Sequence, residues 1–321
     1  MPSTRILATA PIDRLPIEIL EQIAPVEISP GADEETLLAL LDNTIGIVAR
    51  GVEVRISARI IEAAPSLQVI GRPGAGYDTV DVGAATKRKV PLVYAPVSGF
   101  AVAEGALALL LTLIKKIPFC DSIAKQGQWN RRYDFSTGDM AEHTLGIVGL
   151  GRIGAGLAHL AKPFGMTILG FDPQITREQA KKFGVEWVEL DELLQRSDYV
   201  SLHAPLTDET RGLIGRQRVA MMKRGSILIN TARGGVIESL DVLAEALESG
   251  QLSAVGLDVF PSEPPDSSHR LFRDPRFVCA PHMLGVSALA MERIYRSMAN
   301  DMVAVLRGER PRYCVNPEVL P

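Results

Sequence analysis

An apolar run, Thr144-Leu145-Gly146-Ile147-Val148, leads straight into Gly149-Leu150-Gly151-Arg152-Ile153-Gly154 and then into a helix-compatible segment. Strand, glycine turn and helix in that order belong to an α/β architecture. The glycines fit GxGxxG, and each spacing has a physical reason. Gly149 permits the tight turn, Gly151 lets backbone approach a pyrophosphate, and Gly154 allows close helix–strand packing. The pyrophosphate would then rest on the amides and positive dipole end of the helix. Glycines also gather in ordinary turns, so the motif needs support from its surroundings. Asp172, in Gly170-Phe171-Asp172-Pro173, supplies it: it ends the next strand, 21 residues beyond Gly151, where a carboxylate can accept from a ribose 2′-hydroxyl. A negative charge there repels a 2′-phosphate. Arg177, the nearest basic residue, sits on an expected helix and reads as a solvated charge. The cofactor expected is NAD rather than NADP.

The rest of the chain repeats the alternation. Strands are expected at 5–8, 45–48, 67–70 and 92–94, then at 145–148, 167–171, 198–202, 226–230, 254–257 and 277–279. Helical patterns lie between them, such as 33–41, 57–64 and 287–307, and 96–105 is a natural crossover between two domains. A length of 321 residues suits two domains, each able to bury its own core. The net charge of -4 argues against a nucleic-acid footprint and an electrostatic membrane anchor. The most apolar run, Val102 to Ile114, is too short to span a bilayer, which takes about 20 residues. Cys120, Cys279 and Cys314 are odd in number and lack paired spacing, so neither a disulfide framework nor a metal site is suggested. With no signal-like N-terminal stretch, the expected location is the cytoplasm.

Polar residues recur where the later strands end. His203 follows Tyr199 to Leu202, Thr231-Ala232-Arg233 follow Ile227 to Asn230, Asp258 follows Ala254 to Leu257, and His282 follows Val278-Cys279-Ala280-Pro281. Glu263 stands just downstream of Asp258. In open α/β sheets, ligands bind outside the carboxyl ends of the strands. Each residue has a bland alternative: a loop arginine is usually solvated, a lone histidine usually fills space, and acids in Pro-rich loops form turns. Taken together, the set supports one chemistry. A nicotinamide exchanges hydride with a carbonyl or alcohol carbon, so the protein must hold that carbon and move one proton. A histidine moves the proton near neutral pH, a carboxylate orients it, and an arginine offers a planar fork to a substrate carboxylate. His282, Glu263 and Arg233 can fill those roles.

These residues, with Gly71 to Asp78, His203 to Thr207, Asn230 to Gly235, Gly256 to Pro264 and Pro281-His282, resemble the D-isomer-specific 2-hydroxyacid dehydrogenases along nearly the whole chain. The resemblance implies two doubly wound parallel-sheet domains around a cleft. A flavodoxin-like substrate domain would take residues 1–98 plus 286–321, and a Rossmann NAD-binding domain 99–285. It implies Arg233 for the substrate carboxylate, His282 as acid/base, and Glu263 as its orienting partner. The cofactor would lie on Gly149, Gly151, Arg152, Ile153, Gly154 and Asp172. His203, Pro205, Thr210, Thr231 and Ala232 would add to that surface, as would Arg233, Asp258, His282 and Gly285. The amides of Ala75 and Gly76 would take the other side of the carboxylate. A homodimer through the NAD-binding domain is also implied.

Within the family, the first part looks most like the 3-phosphoglycerate dehydrogenases, with Arg50 and Arg72 matching places where those enzymes set arginines near a substrate phosphate. The alternative is that both are surface charges. The loop Ala95 to Glu104 departs from that pattern. It is shorter and lacks an Asn, and Phe100 could turn an apolar face to the substrate. Met283 and Leu284, after His282, could shape the pocket near the nicotinamide. No regulatory domain is expected after Pro321. The substrate therefore stays open between phosphohydroxypyruvate, glyoxylate, hydroxypyruvate and a bulkier 2-oxo acid. Formate dehydrogenase is disfavoured, because Glu263 stands where that enzyme has a Gln. A rival of another class is a non-catalytic NAD-sensing scaffold like the C-terminal binding protein corepressors, although their long tails are not expected here. A phosphite-oxidising relative would need basic residues around Ala75.

Overall fold

The computed structural model describes residues 4–51 and 54–321. The chain forms two compact units: one runs to Ser98 and resumes at Ser287–Pro321, the other is Gly99–Val286.

The first unit is built on five strands: β1 (Arg5–Ala8), β2 (Val26–Ile28), β3 (Thr44–Val48), β4 (Val69–Arg72) and β5 (Leu92–Tyr94). All pair in parallel, in the order β2-β1-β3-β4-β5. This is the flavodoxin-like order, whose direction reverses between the first and third strands. Side chains alternate cleanly between two buried layers. Ile6, Val69 and Val93 belong to one, and Leu7, Ile70 and Leu92 to the other. The helix Ala288–Leu306 covers the first layer with Tyr295, Met298 and Met302, so the last helical segment packs in this unit. Gly71 makes that approach possible, since a Cβ there would collide with Met302.

The second unit carries seven parallel strands: β6 (Thr144–Val148), β7 (Thr167–Phe171), β8 (Glu186–Trp187), β9 (Tyr199–Leu202), β10 (Ser226–Asn230), β11 (Leu252–Leu257) and β12 (Phe277–Cys279). Their order is β12-β11-β10-β9-β6-β7-β8. The chain leaves β6 in one direction and returns to its other side at β9, which makes the β6/β9 boundary the switch point of a Rossmann sheet. Hydrophobic layers lie on both faces, as parallel sheets require.

All ten expected strands are present, with ends shifted by up to two residues. Two were missed, β2 and β8, and both are short edge strands whose side chains are half-exposed or exposed. An edge strand needs no continuous apolar run, so it leaves little trace in the sequence. The helices expected from Asp33, Ser57 and Ser287 begin one residue later. Those three residues are N-caps whose side chains accept from the backbone N–H of Thr36, Ile60 and Ala290. No helix among the described residues is long and apolar enough to cross a membrane.

Candidate active site

At the end of β6 the three glycines answer to three different constraints. Gly149 has φ +94, and a Cβ there would lie 2.8 Å from the amide nitrogen of Ala204. At Gly154 a Cβ would run into the carbonyl oxygen of Gly149, so only hydrogen lets the helix Arg152–Ala161 sit this close to the strand. At Gly151, the N-cap of that helix, a Cβ would meet nothing within 4 Å, and no side chain caps the helix. The first amides of the helix, at Arg152 and Ile153, therefore face open space with the positive end of the dipole behind them. An anion fits there.

Asp172 follows β7 and is half-buried. One carboxylate oxygen accepts from Leu150 N at 2.9 Å, inside the glycine turn, and the other from Gln174 N at 2.9 Å. The acid thus braces the turn and keeps lone pairs for ribose hydroxyls. Arg177 is exposed and lies over the Trp187 ring, 5.2 Å from its centroid. These residues suit NAD, with Asp172 for the adenosine ribose and the helix N-terminus for the pyrophosphate.

Across the switch point, His203 follows β9. Its Nε2 lies 2.7 Å from Ser201 Oγ, and its Nδ1 3.4 Å from Thr231 Oγ1. Burial pushes its imidazole down to about 3, so it stays neutral. Pro205 and Thr210 belong to the turn that follows. The Thr210 hydroxyl accepts from Thr207 N at 2.7 Å and donates to the Pro205 carbonyl, and so closes that turn.

His282 and Glu263 meet from the ends of two adjacent strands, β12 and β11. His282 Nδ1 meets Glu263 Oε2 at 2.8 Å, and Glu263 Oε1 accepts from Phe260 N at 2.9 Å. Burial alone would raise the Glu263 carboxyl. The bond from His282, the amide of Phe260 and the positive charges of His282 and Arg233 outweigh it and hold the carboxyl below its usual range. An ionised carboxylate only accepts, so the His282 proton facing it is on Nδ1. Nε2 is then the atom left to exchange a proton with a ligand. His282 adopts φ +54, a left-handed conformation costing a residue with a Cβ about 1 kcal/mol.

Asp258 holds that conformation in place. It is 3% exposed, its carboxylate accepts from Met283 N at 2.8 Å and Leu284 N at 3.2 Å, and its carbonyl accepts from His282 N at 2.8 Å. Burial pushes its carboxyl above the usual range, against those amide bonds. Gly285, next along, lies against Val102, where a Cβ would come to 2.5 Å.

Arg233 depends on a residue that sequence reasoning did not single out. Asn230, fully buried at the end of β10, donates from Nδ2 to the Arg233 carbonyl and accepts from Ala232 N, both at 2.9 Å. The signal was an amide closing the apolar run Ile227-Leu228-Ile229, since a buried polar group must find partners. The Arg233 guanidinium itself donates to the Ala232 carbonyl at 2.8 Å. Phe100, 51% exposed, and Met283, 49% exposed, also lie in this unit.

The first unit brings together Arg50, Arg72, Ala75 and Gly76 at the carboxyl edge of its own sheet. Arg50 follows β3 and is tied by two bonds between its backbone and the Thr9 hydroxyl. Arg72 ends β4, is 9% exposed and donates to the carbonyls of Ala49 and Pro73 at 3.2 Å. Gly74, at φ +111, turns the chain so that Ala75 and Gly76 follow in an open loop.

Residues 107–283, more than half of the chain, match the family model for the D-isomer specific 2-hydroxyacid dehydrogenase NAD binding domain. D-3-phosphoglycerate dehydrogenase of Methanocaldococcus jannaschii is 39% identical over 99% of this chain, which spans 60% of that relative's length. Glyoxylate reductase of Korarchaeum cryptofilum is 40% identical over 83% of this chain and 81% of its own. Among solved structures, D-lactate dehydrogenase from Aquifex aeolicus, complexed with NAD and lactic acid, superposes with a TM-score of 0.88 at 26% identity, covering 98% of this chain and 99% of the other. The glycine turn, the strand-end acid and the sheet order agree with these likenesses, and the cofactor is NAD. The chain belongs to the D-isomer specific 2-hydroxyacid dehydrogenase family.

Proposed function

We propose that this chain interconverts a 2-oxo acid and the matching D-2-hydroxy acid. The observation that carries this reading is the 2.8 Å contact between His282 Nδ1 and Glu263 Oε2, with Arg233 close enough to bias the same carboxylate. NAD(H), held on the Gly149–Gly154 turn and Asp172, would supply or accept the hydride exchanged at the substrate carbon. Arg233 binds the substrate carboxylate through its fork and polarises the neighbouring carbonyl. His282, protonated, gives its Nε2 proton to the carbonyl oxygen as negative charge develops there, and takes it back in oxidation. Glu263 keeps the ring in one tautomer and one orientation throughout. Asp258 and Asn230 hold the two loops from which His282 and Arg233 project.

Arg50 and Arg72 support a phosphorylated acid, in keeping with the relatives named D-3-phosphoglycerate dehydrogenase, while the glyoxylate reductase relative supports a short one. Ala75 and Gly76 offer amides to the substrate carboxylate, and Phe100 an apolar face. We further propose a cytoplasmic homodimer formed through the second unit.

The test follows NADH absorbance with phosphohydroxypyruvate, hydroxypyruvate, glyoxylate, pyruvate and a branched 2-oxo acid. Turnover of phosphohydroxypyruvate alone supports a phosphate-directed site, and turnover of the short acids supports a reductase of glyoxylate type. NADH binding with no turnover on any of them overturns the enzyme reading and favours a cofactor-sensing scaffold.

A further inference from the structure

The largest fully buried side chain of the described residues is a phenol without a hydrogen-bond partner. Tyr295, on the helix that covers the first sheet, is 1% exposed, yet its hydroxyl makes no hydrogen bond of normal length. Leaving a buried hydroxyl unpaired costs about 1–3 kcal/mol, which phenylalanine would avoid in the same volume. The groups that act on this hydroxyl locate it. Burial pushes its pKa up and Asp13 adds to the rise, while Arg50, by its charge and by pointing N–H at the phenolic oxygen, and Arg72 oppose them, so it is the O–H donor that has no acceptor. Tyr295 packs in the buried layer with Val48 of β3 and Val69 of β4, at the sheet edge where Arg50 follows β3, Arg72 ends β4 and the strand order turns at β1/β3. Arg50 is tied through its backbone to Thr9, and Arg72 through its guanidinium to two carbonyls.

We propose that Tyr295 is the floor of an oxyanion subsite in the first unit. Its hydroxyl and the Arg50 and Arg72 guanidiniums together hold the anionic tail of the substrate. The two guanidiniums supply charge and planar forks, and a phenolic O–H adds one further directed, charge-assisted bond that only an oxyanion drawn to that edge can satisfy. The group left unpaired in the free protein becomes paired in the complex, so the cost of keeping it returns as selectivity for substrates with an anionic tail. The proposal rests on the 2-oxo acid reading for its substrate, but not for its binding test. A phosphoryl and a carboxylate tail share the chemistry, and the probes separate them.

The experiment uses the full chain saturated with NAD, which occupies the glycine turn. Calorimetry measures binding of inorganic phosphate and of acetate to the wild type and to Tyr295→Phe, alongside thermal unfolding. The variant keeps the ring and should unfold at the same temperature or a few degrees higher. It should bind its preferred anion about ten-fold more weakly, as expected for one lost hydrogen bond to a charged group. In turnover, KM for the anion-tailed acid should rise by a similar factor with kcat nearly unchanged, and pyruvate kinetics should not move. A loss confined to phosphate assigns a phosphoryl tail, and one confined to acetate a carboxylate tail. Equal affinity in both proteins, or no anion binding by the wild type, overturns the proposal. If anion binding falls as expected but no 2-oxo acid is turned over, the subsite stands and the enzymatic reading fails.

Discussion

The two sheets end in edges of opposite character. In the second unit, the functional side chains hold one another or are held by buried neighbours: His282 by Glu263, the loop after His282 by Asp258, and the loop of Arg233 by Asn230. In the first, the edge consists of a glycine-turned loop with exposed or half-exposed backbone and two arginines secured mainly to carbonyls and to a threonine. Proton transfer tolerates little error in distance or angle, so it calls for side chains fixed by second partners. Recognition of a carboxylate or a phosphate needs charge and amides in roughly the right place. The same topology therefore yields an edge of mutually braced side chains in one unit and a more open edge in the other, as the proposed division of chemistry and recognition requires.

Replacing Arg233 with lysine attacks the braced edge most directly. It keeps the charge and removes the fork. We expect kcat/KM for any turned-over 2-oxo acid to fall about 10²–10³-fold, as loss of a bidentate charge-assisted pair would cost several kcal/mol. NADH affinity, read by fluorescence titration, should stay within a few-fold. A drop below ten-fold would mean that Arg233 is not the carboxylate anchor.

Asp258→Ala probes the support beneath the chemistry. It strands the amides of Met283 and Leu284 and releases the left-handed backbone at His282. The expected cost is about 1–3 kcal/mol of stability in denaturant unfolding, together with a fall in kcat. Unchanged kcat would show that His282 is aimed without this brace.

The neutral His203 adds a pH signature. Its native pKa of about 3 lies below the ordinary 6.5, so between those values the unfolded chain binds a proton that the native state refuses. Stability from this source is fully present above a pH of ~6.5 and drains as pH falls, by about 2 kcal/mol at a pH of ~5. His203→Gln should flatten the dependence of melting temperature on pH across that window. An identical slope in the variant would contradict the neutral assignment.

The smallest effect belongs to the more open edge. Arg50→Gln should raise KM for an anion-tailed acid by about five- to ten-fold, or about 1 kcal/mol, and leave kcat within two-fold. A large loss of kcat would mean that this edge takes part in the chemistry and that the contrast between the two units is wrong.

Much of this was legible in the sequence because buried parallel strands leave continuous apolar runs, and a polar residue closing such a run stands out. Asp172, His203, Arg233, Asp258 and His282 each stand just after such a run. Edge strands β2 and β8 lacked the runs and went unread. Glu263 and His282 could be paired only by their residue types, because 19 residues of chain separate them. Other roles depended on contacts that no local pattern encodes. The bonds from Asp258 to the loop 283–284 span 25 or 26 residues. Thr210, expected at the cofactor, is seen to close its own turn. Tyr295 reads as one more apolar position of an amphipathic helix, and only its packing shows a hydroxyl without a partner.

On the proposed mechanism His282, oriented by Glu263, moves the proton. The most direct test is the kcat of His282→Gln on whichever 2-oxo acid the wild type reduces, measured with NADH affinity on the same protein. A fall of about 10²–10⁴-fold in kcat with NADH affinity retained is the expected result. Turnover close to the wild type, or loss of NADH binding in step with activity, would contradict it and assign His282 a structural role.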